Sequence, residues 1–128
     1  TLIIAEHLLD NYGFRHSCRR LRAADIPVLD LEENPDIALE RIIDECLKAK
    51  REDNIGAIVL GCGGMADLTP QISDAVGLPV VEGVTAAVKL AEAVVGLGLG
   101  TSKFGDLAFP GSKRFTGRFA EYSDLAHG

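Results

Sequence analysis

Apolar and polar positions alternate along the chain in blocks of two periods, one helical and one continuous. Leu2, Ile4, Ala5, Leu8, Leu9 and Tyr12 form the stripe of an amphipathic helix from Thr1 to Asn11, with Thr1 available as its cap and Gly13 as its closing residue. Cys18 to Leu21 and Ile26 to Leu31 are candidate strands, and Pro27 places the second at a strand start or a sheet edge. Asn34-Pro35 is a helix start, Asn at N-cap and Pro at N1. Leu39, Ile42, Ile43, Cys46 and Leu47 then recur at helical spacing to about Lys50, and Cys46 reads as core packing. The uncharged run Ile55 to Leu60 reads as a strand buried on both faces, the kind found in parallel sheets.

A turn rich in glycine follows, Gly61-Cys62-Gly63-Gly64. Beyond it, Met65 to Val76 predicts a short helix broken or started at Pro70, with Leu68, Ile72, Ala75 and Val76 inward and Gly77 closing it. Leu78 to Val81 predicts a second buried strand, and Val84 to Val95 a helix packed through Val84, Ala87, Val88, Ala91, Val94 and Val95. Gly96, Gly98 and Gly100 end that helix. From Thr101 to Gly128 periodicity is lost, and Phe109-Pro110-Gly111 is one of several loop-like stretches. Phe104, Phe109, Phe115, Phe119 and Tyr122 predict a tail lying against another lobe or subunit.

Helices alternating with strands predict an α/β fold on a parallel sheet. The first helix has no strand before it, and the chain opens at Thr1 rather than at a methionine. Both features point to a fragment or a processed protein whose first strand in this lobe is missing.

Composition narrows the function classes. The 128 residues are 47% hydrophobic and 25% charged, with a formal charge of −6, a balance that argues against a nucleic-acid surface. No apolar run is long enough to span a bilayer and no secretory leader is visible, so the expectation is a cytoplasmic protein with no membrane partner. Cys18, Cys46 and Cys62 are an odd number without metal-ligand spacing, which fits reduced thiols and offers no metal site. Arg15, Arg19, Arg20 and Arg22 cluster as either an interface or substrate-steering patch, or a solvated face paired with Asp30, Glu32 and Glu33.

Cys62 is the candidate for chemistry. Ligands of open parallel sheets sit at the carboxyl ends of the strands, which is where this thiol falls. The N–H groups of Gly63, Gly64 and Met65 at such a turn form a nest that binds anions and favours a thiolate. They can also stabilise the oxygen of a developing enolate, so that the thiol takes a proton from carbon beside a carbonyl. The alternative is a small buried cysteine with no chemistry. His7, His16 and His127 fall on a helix, in a loop and in the tail, and complete no catalytic triad. The turn matches neither GxGxxG nor a Walker loop. Glu82 and Gly83 follow the next strand and fall near Cys62. The helix after them offers a second set of N–H groups at Val84 and Thr85. Thr85 either bonds substrate or caps its own helix.

Three blocks carry a resemblance across nearly the whole chain: Leu60-Gly61-Cys62-Gly63-Gly64-Met65-Ala66-Asp67, Gly77-Leu78-Pro79-Val80-Val81-Glu82-Gly83-Val84 running on to Glu92, and Gly98-Leu99-Gly100-Thr101-Ser102-Lys103. In this order they closely resemble the hydantoin/allantoin racemase branch of the aspartate/glutamate racemase superfamily. Tyr12-Gly13, Arg22-Ala23 and Ile26-Pro27-Val28-Leu29 also look like that branch. The resemblance implies a two-lobed α/β racemase fold without cofactor or metal, and two cysteines on opposite faces of a substrate carbon. Cys62 matches the second of these, with Gly63 and Gly64 as backbone contacts to substrate. No residue here matches the first cysteine, which belongs to an N-terminal lobe. The implied organisation is residues 1–82 as most of the C-terminal lobe, and 83–128 as a helix and tail packing on the N-terminal lobe or a partner subunit. The implied function is racemisation of allantoin, as in purine catabolism, or of another 5-substituted hydantoin by a homo-oligomer, with this chain inactive alone. An Asp/Glu racemase or related isomerase is one alternative, and a non-catalytic anion-binding or interface module is another.

Overall fold

The computed structural model describes residues 2–109, 111 and 113–124. Thr1 as a cap, Pro110 in the predicted loop, and His127 lie outside the described residues. The chain divides into two compact units, Thr1–Leu90 and Ala91–Gly128.

In the first unit, helix α1 (Leu2–Asn11) closes as its sequence predicts. Gly13 takes φ +73°, its N–H reaches Asp10 O at 3.1 Å, and Phe14 N–H reaches Leu9 O at 2.8 Å. That is the left-handed glycine stop, in which the last carbonyls find donors. None of its residues is buried.

The two strands predicted over Cys18–Leu21 and Ile26–Leu31 do not form; the segment is extended coil ending in a turn and a one-turn helix, α2 (Asp30–Glu33). The reason is local. Pro27 has no N–H to give a ladder. The carbonyls of Pro27, Val28 and Leu29 are taken by the N–H groups of Asp30, Leu31 and Glu32 at 3.0–3.2 Å. Ala24 and Ile26 still pack against the core, and side chains fasten the coil. Arg22 holds Asp53 with Nε at 2.5 Å and Nη2 at 2.9 Å, and reaches Glu45 at 2.9 Å and Glu52 at 2.7 Å. Such planar, bidentate pairing is what guanidinium does best. The partners of the arginine cluster are thus these three carboxylates, together with Glu6 and Asp10 for Arg15, and not the predicted Asp30, Glu32 and Glu33.

Helix α3 (Pro35–Glu52) starts where Asn34-Pro35 predicts. Asn34 caps it through its backbone carbonyl, which accepts Ala38 N–H at 3.0 Å; its side chain makes no capping bond. The buried face is Ala38, Ile42 and Cys46. Strand β1 (Ile58–Leu60) follows, then a 3₁₀ segment Gly63–Leu68, helix α4 (Thr69–Val76) and strand β2 (Val80–Glu82). The two strands pair in parallel, Ile58 with Val80 and Leu60 with Glu82. The core joins Ile42 and Cys46 of α3, Leu60 of β1, and Ile72 and Val76 of α4. Cys46 is therefore a core residue, as predicted. Ala75 is exposed, because α4 points Ile72 and Val76 inward and leaves Ala75 on the outer side.

Two burial expectations fail. The sheet is not covered on both faces: Leu60 faces the core, while Val59 is 76% exposed. Helix α5 (Gly83–Gly96) forms but has no buried residue, so the packed stripe of Val84, Val88, Val94 and Val95 is bare. Helical period identifies the apolar stripe, and only a neighbouring element buries it.

The second unit carries the end of α5, a left-handed Gly98 at φ +73°, and 3₁₀ turns Gly105–Leu107 and Gly117–Asp124 where only loop was predicted. Ser123 Oγ accepts Phe115 N–H at 2.9 Å, and the Phe119 and Tyr122 rings meet at 6.2 Å. Lys103 Nζ stands 4.6 Å above the Phe109 ring.

Candidate functional site

The parallel register sends both chain segments off the same edge of the sheet. Leu60 and Glu82 are partners at the carboxyl ends of β1 and β2, so the Cys62 turn and the start of α5 leave side by side. They run close: a Cβ placed on Gly63 would lie 3.5 Å from Val84 Cγ2, in ordinary contact.

Cys62 itself is extended, at φ −141° and ψ 130°, and caps the 3₁₀ segment with its carbonyl, which accepts Met65 N–H at 3.1 Å. It is a half-buried free thiol. Of the three N–H groups predicted to face a ligand, Met65 is therefore occupied. Those of Gly63 and Gly64 lie in the first turn, ahead of the first bonded N–H, and meet no acceptor among the described residues. Gly64 is closely approached by the Leu31 side chain. A Cβ there would come 3.3 Å from Leu31 Cδ1 and 3.7 Å from Cys62 Sγ.

The second predicted donor set is occupied too. Glu82, only 3% exposed, stands at the N-cap of α5 and accepts Val84 N–H at 2.6 Å and Thr85 N–H at 2.7 Å. Its carboxyl is held below the ordinary carboxylate range, first by a hydrogen bond with the Thr85 side chain and then by these backbone N–H groups, against the opposing effect of burial. The sequence reading placed Glu82 near Cys62 but missed it as the cap. An acidic residue directly before Gly83-Val84-Thr85 is the signal that identifies it. Thr85 gives its backbone N–H to Glu82, the residue that caps the helix, and lines an open groove of ≈ 380 Å³. Ala66, Thr69, Pro70, Val81 and Lys89 complete most of that groove; Cys62, Gly63 and Gly64 are not among its walls.

Cys18 lies half-buried in the arginine-rich coil and Cys46 in the core, and neither stands at a strand end. His7 and His16 are exposed. Among the described residues no cluster of His, Cys, Asp or Glu is placed to hold a metal ion, and no helix is long and apolar enough to cross a membrane.

Residues 2–91 match the family of Asp/Glu/Hydantoin racemases. A hydantoin racemase of Rhizobium meliloti is 48% identical over 114 residues, which cover 89% of this chain and 47% of that protein. One from Pseudomonas sp. (strain NS671) is 38% identical over 117 residues, 91% of this chain and 47% of its own length. The solved structure of an allantoin racemase from Klebsiella pneumoniae superposes with a TM-score of 0.78 at 53% identity, covering 94% of this chain and 49% of that one. The chain spans about half the length of the relatives it matches.

Proposed function

Since the chain belongs to the Asp/Glu/hydantoin racemase family, in its hydantoin/allantoin branch, we propose that a protein of the family's full length carrying it racemises a small cyclic ureide, allantoin or a 5-substituted hydantoin. Cys62 is one of two acid/base thiols, and the second comes from outside these 128 residues. The observation that carries the reading is the half-buried thiol at the carboxyl end of β1, beside N–H groups of Gly63 and Gly64 that meet no acceptor among the described residues.

The ring carbon bearing the substituent is acidic because a carbonyl stands beside it. The Cys62 thiolate takes its proton, and the electron pair moves onto the carbonyl oxygen as an enolate. Donors at Gly63 and Gly64 stabilise that oxygen as charge builds. A thiol on the opposite face then returns a proton, inverting the centre and regenerating a thiolate. No redox change or cofactor enters the balance. Cys18 and Cys46 are poor candidates for the second thiol, one in coil and one in the core. The 128-residue chain alone is therefore inactive. In this proposal residues 1–82 are most of the C-terminal lobe, 83–128 pack on the other lobe or a partner subunit, and the enzyme is a homo-oligomer.

The names of the relatives favour ureides over amino acids within the family. The test follows the optical rotation of enantiopure allantoin, a 5-alkyl hydantoin and aspartate with the full-length protein. Decay for a ureide and none for aspartate is expected; decay for aspartate alone contradicts the assignment.

A further inference from the structure

Glu82 is a buried carboxylate, at 3% exposure. A buried carboxylate is costly unless its oxygens are satisfied, and here the donors come from the first turn of α5. One of them, Val84 N–H, belongs to the residue whose Cγ2 lies 3.5 Å from where a Cβ on Gly63 would stand, on the side of the turn next to Cys62. The other, Thr85 N–H, belongs to a residue that lines the open groove. Glu82 is also locked in register beside Leu60, two residues before the thiol. A short path thus runs from the carboxylate through Val84 to Gly63 and Cys62.

We propose that Glu82 is a positioning residue for the reaction: by anchoring Val84 and Thr85 it holds the wall against which the Cys62 turn is set. The proposal rests on the reading that Cys62 exchanges a proton with substrate. Through the Thr85 N–H, Glu82 also holds in place a residue that lines the groove. Glu82 touches no reacting atom. Its effect is on where the thiol and the Gly63 and Gly64 donors stand, and displacement of about 1 Å at such a site costs on the order of 10²-fold in rate.

The experiment uses the full-length protein with Glu82→Ala, Glu82→Gln and Glu82→Asp, and Cys62→Ser as reference. Folding of each is checked by circular dichroism at the assay temperature. Two quantities are read: ureide racemisation as kcat and KM, and amide hydrogen exchange at Met65, with Val84 and Thr85 as the local control. The alanine variant is expected to lose about 10- to 100-fold in kcat with little change in KM. It should also exchange the Met65 amide faster, since the Met65–Cys62 bond closes the turn. Aspartate, which also caps from this position, is expected to restore both. Should alanine prevent folding, glutamine supplies the same comparison. Faster exchange at Val84 and Thr85 with Met65 unchanged overturns the proposal, since Glu82 is then a local helix cap only. Full racemisation by Cys62→Ser instead overturns the assignment of Cys62, and the Met65 exchange still decides the role of Glu82.

Discussion

Two cysteines in one small unit differ in what surrounds the sulfur. Cys46 is buried between α3 and α4, and burial pushes its thiol up, with the Glu45 charge adding to the effect. A pKa raised on folding means that the neutral thiol stabilises the fold at low pH, and that this contribution is lost as pH rises through the folded value. Cys62 lies half-buried at the end of a strand. Iodoacetamide at neutral pH is therefore expected to label Cys62 well before Cys46, with Cys46 reacting only after unfolding. Peptide mapping against time reads the order, and equal rates in the folded protein contradict it.

At the scale of elements, stops and caps are what set the site. Gly77 ends α4 at φ +66°, with its N–H on Ser73 O at 2.8 Å, and Lys50 Nζ donates to Val76 O at 2.6 Å. An added Cβ meets Lys50 Nζ at 3.6 Å, ordinary contact, so the cost of Gly77→Ala is conformational. It is expected to destabilise by about 1–2 kcal/mol, read as a lower urea midpoint at unchanged slope. A wild-type midpoint contradicts the left-handed stop. The Arg22 clamp makes a pH prediction. Arg22 holds the Asp53 carboxyl below its ordinary range, and Glu45 likewise. Because folding lowers these values, their stabilisation is full above the unfolded carboxylate range of about 4, and is lost as pH falls through the folded values. Asp53→Asn should flatten the acid limb of stability against pH, and an unchanged limb contradicts the clamp.

Much of this scale was legible in sequence. Gly13 and Gly77 announced two helix ends, Asn34-Pro35 a start, and Gly61-Cys62-Gly63-Gly64 the strand-end turn. What was not legible depended on partners distant in sequence. Ile26 to Leu31 has strand residues, but it has no neighbour to pair with, and Pro27 lets its carbonyls close a turn instead. The cap by Glu82 was legible in principle, as an acidic residue at the start of a helix, but its burial depends on the β1 pairing and the packing around it.

For the molecule as a whole, apolar surface exceeds what the small core uses. Val59 and Val81 leave one face of the sheet bare in the first unit, and α5 shows Val84, Val88, Val94 and Val95. Patches of this kind mark contact with something else. The 128-residue chain alone is expected to bind a dye such as ANS and to elute above monomer mass, and a dye-silent monomer contradicts this. Its predicted lack of activity follows from chemistry, since one thiol serves one face.

The central claim is that Cys62 moves the proton. Its most direct test compares full-length wild type with Cys62→Ser, following both the optical rotation of an enantiopure ureide and, in D₂O, uptake of deuterium at its stereogenic carbon. Racemisation is expected to fall roughly 10²–10⁴-fold in a folded variant, the usual range for a lost acid/base group, with any residual exchange confined to one enantiomer. Racemisation of both enantiomers at the wild-type rate would contradict the account.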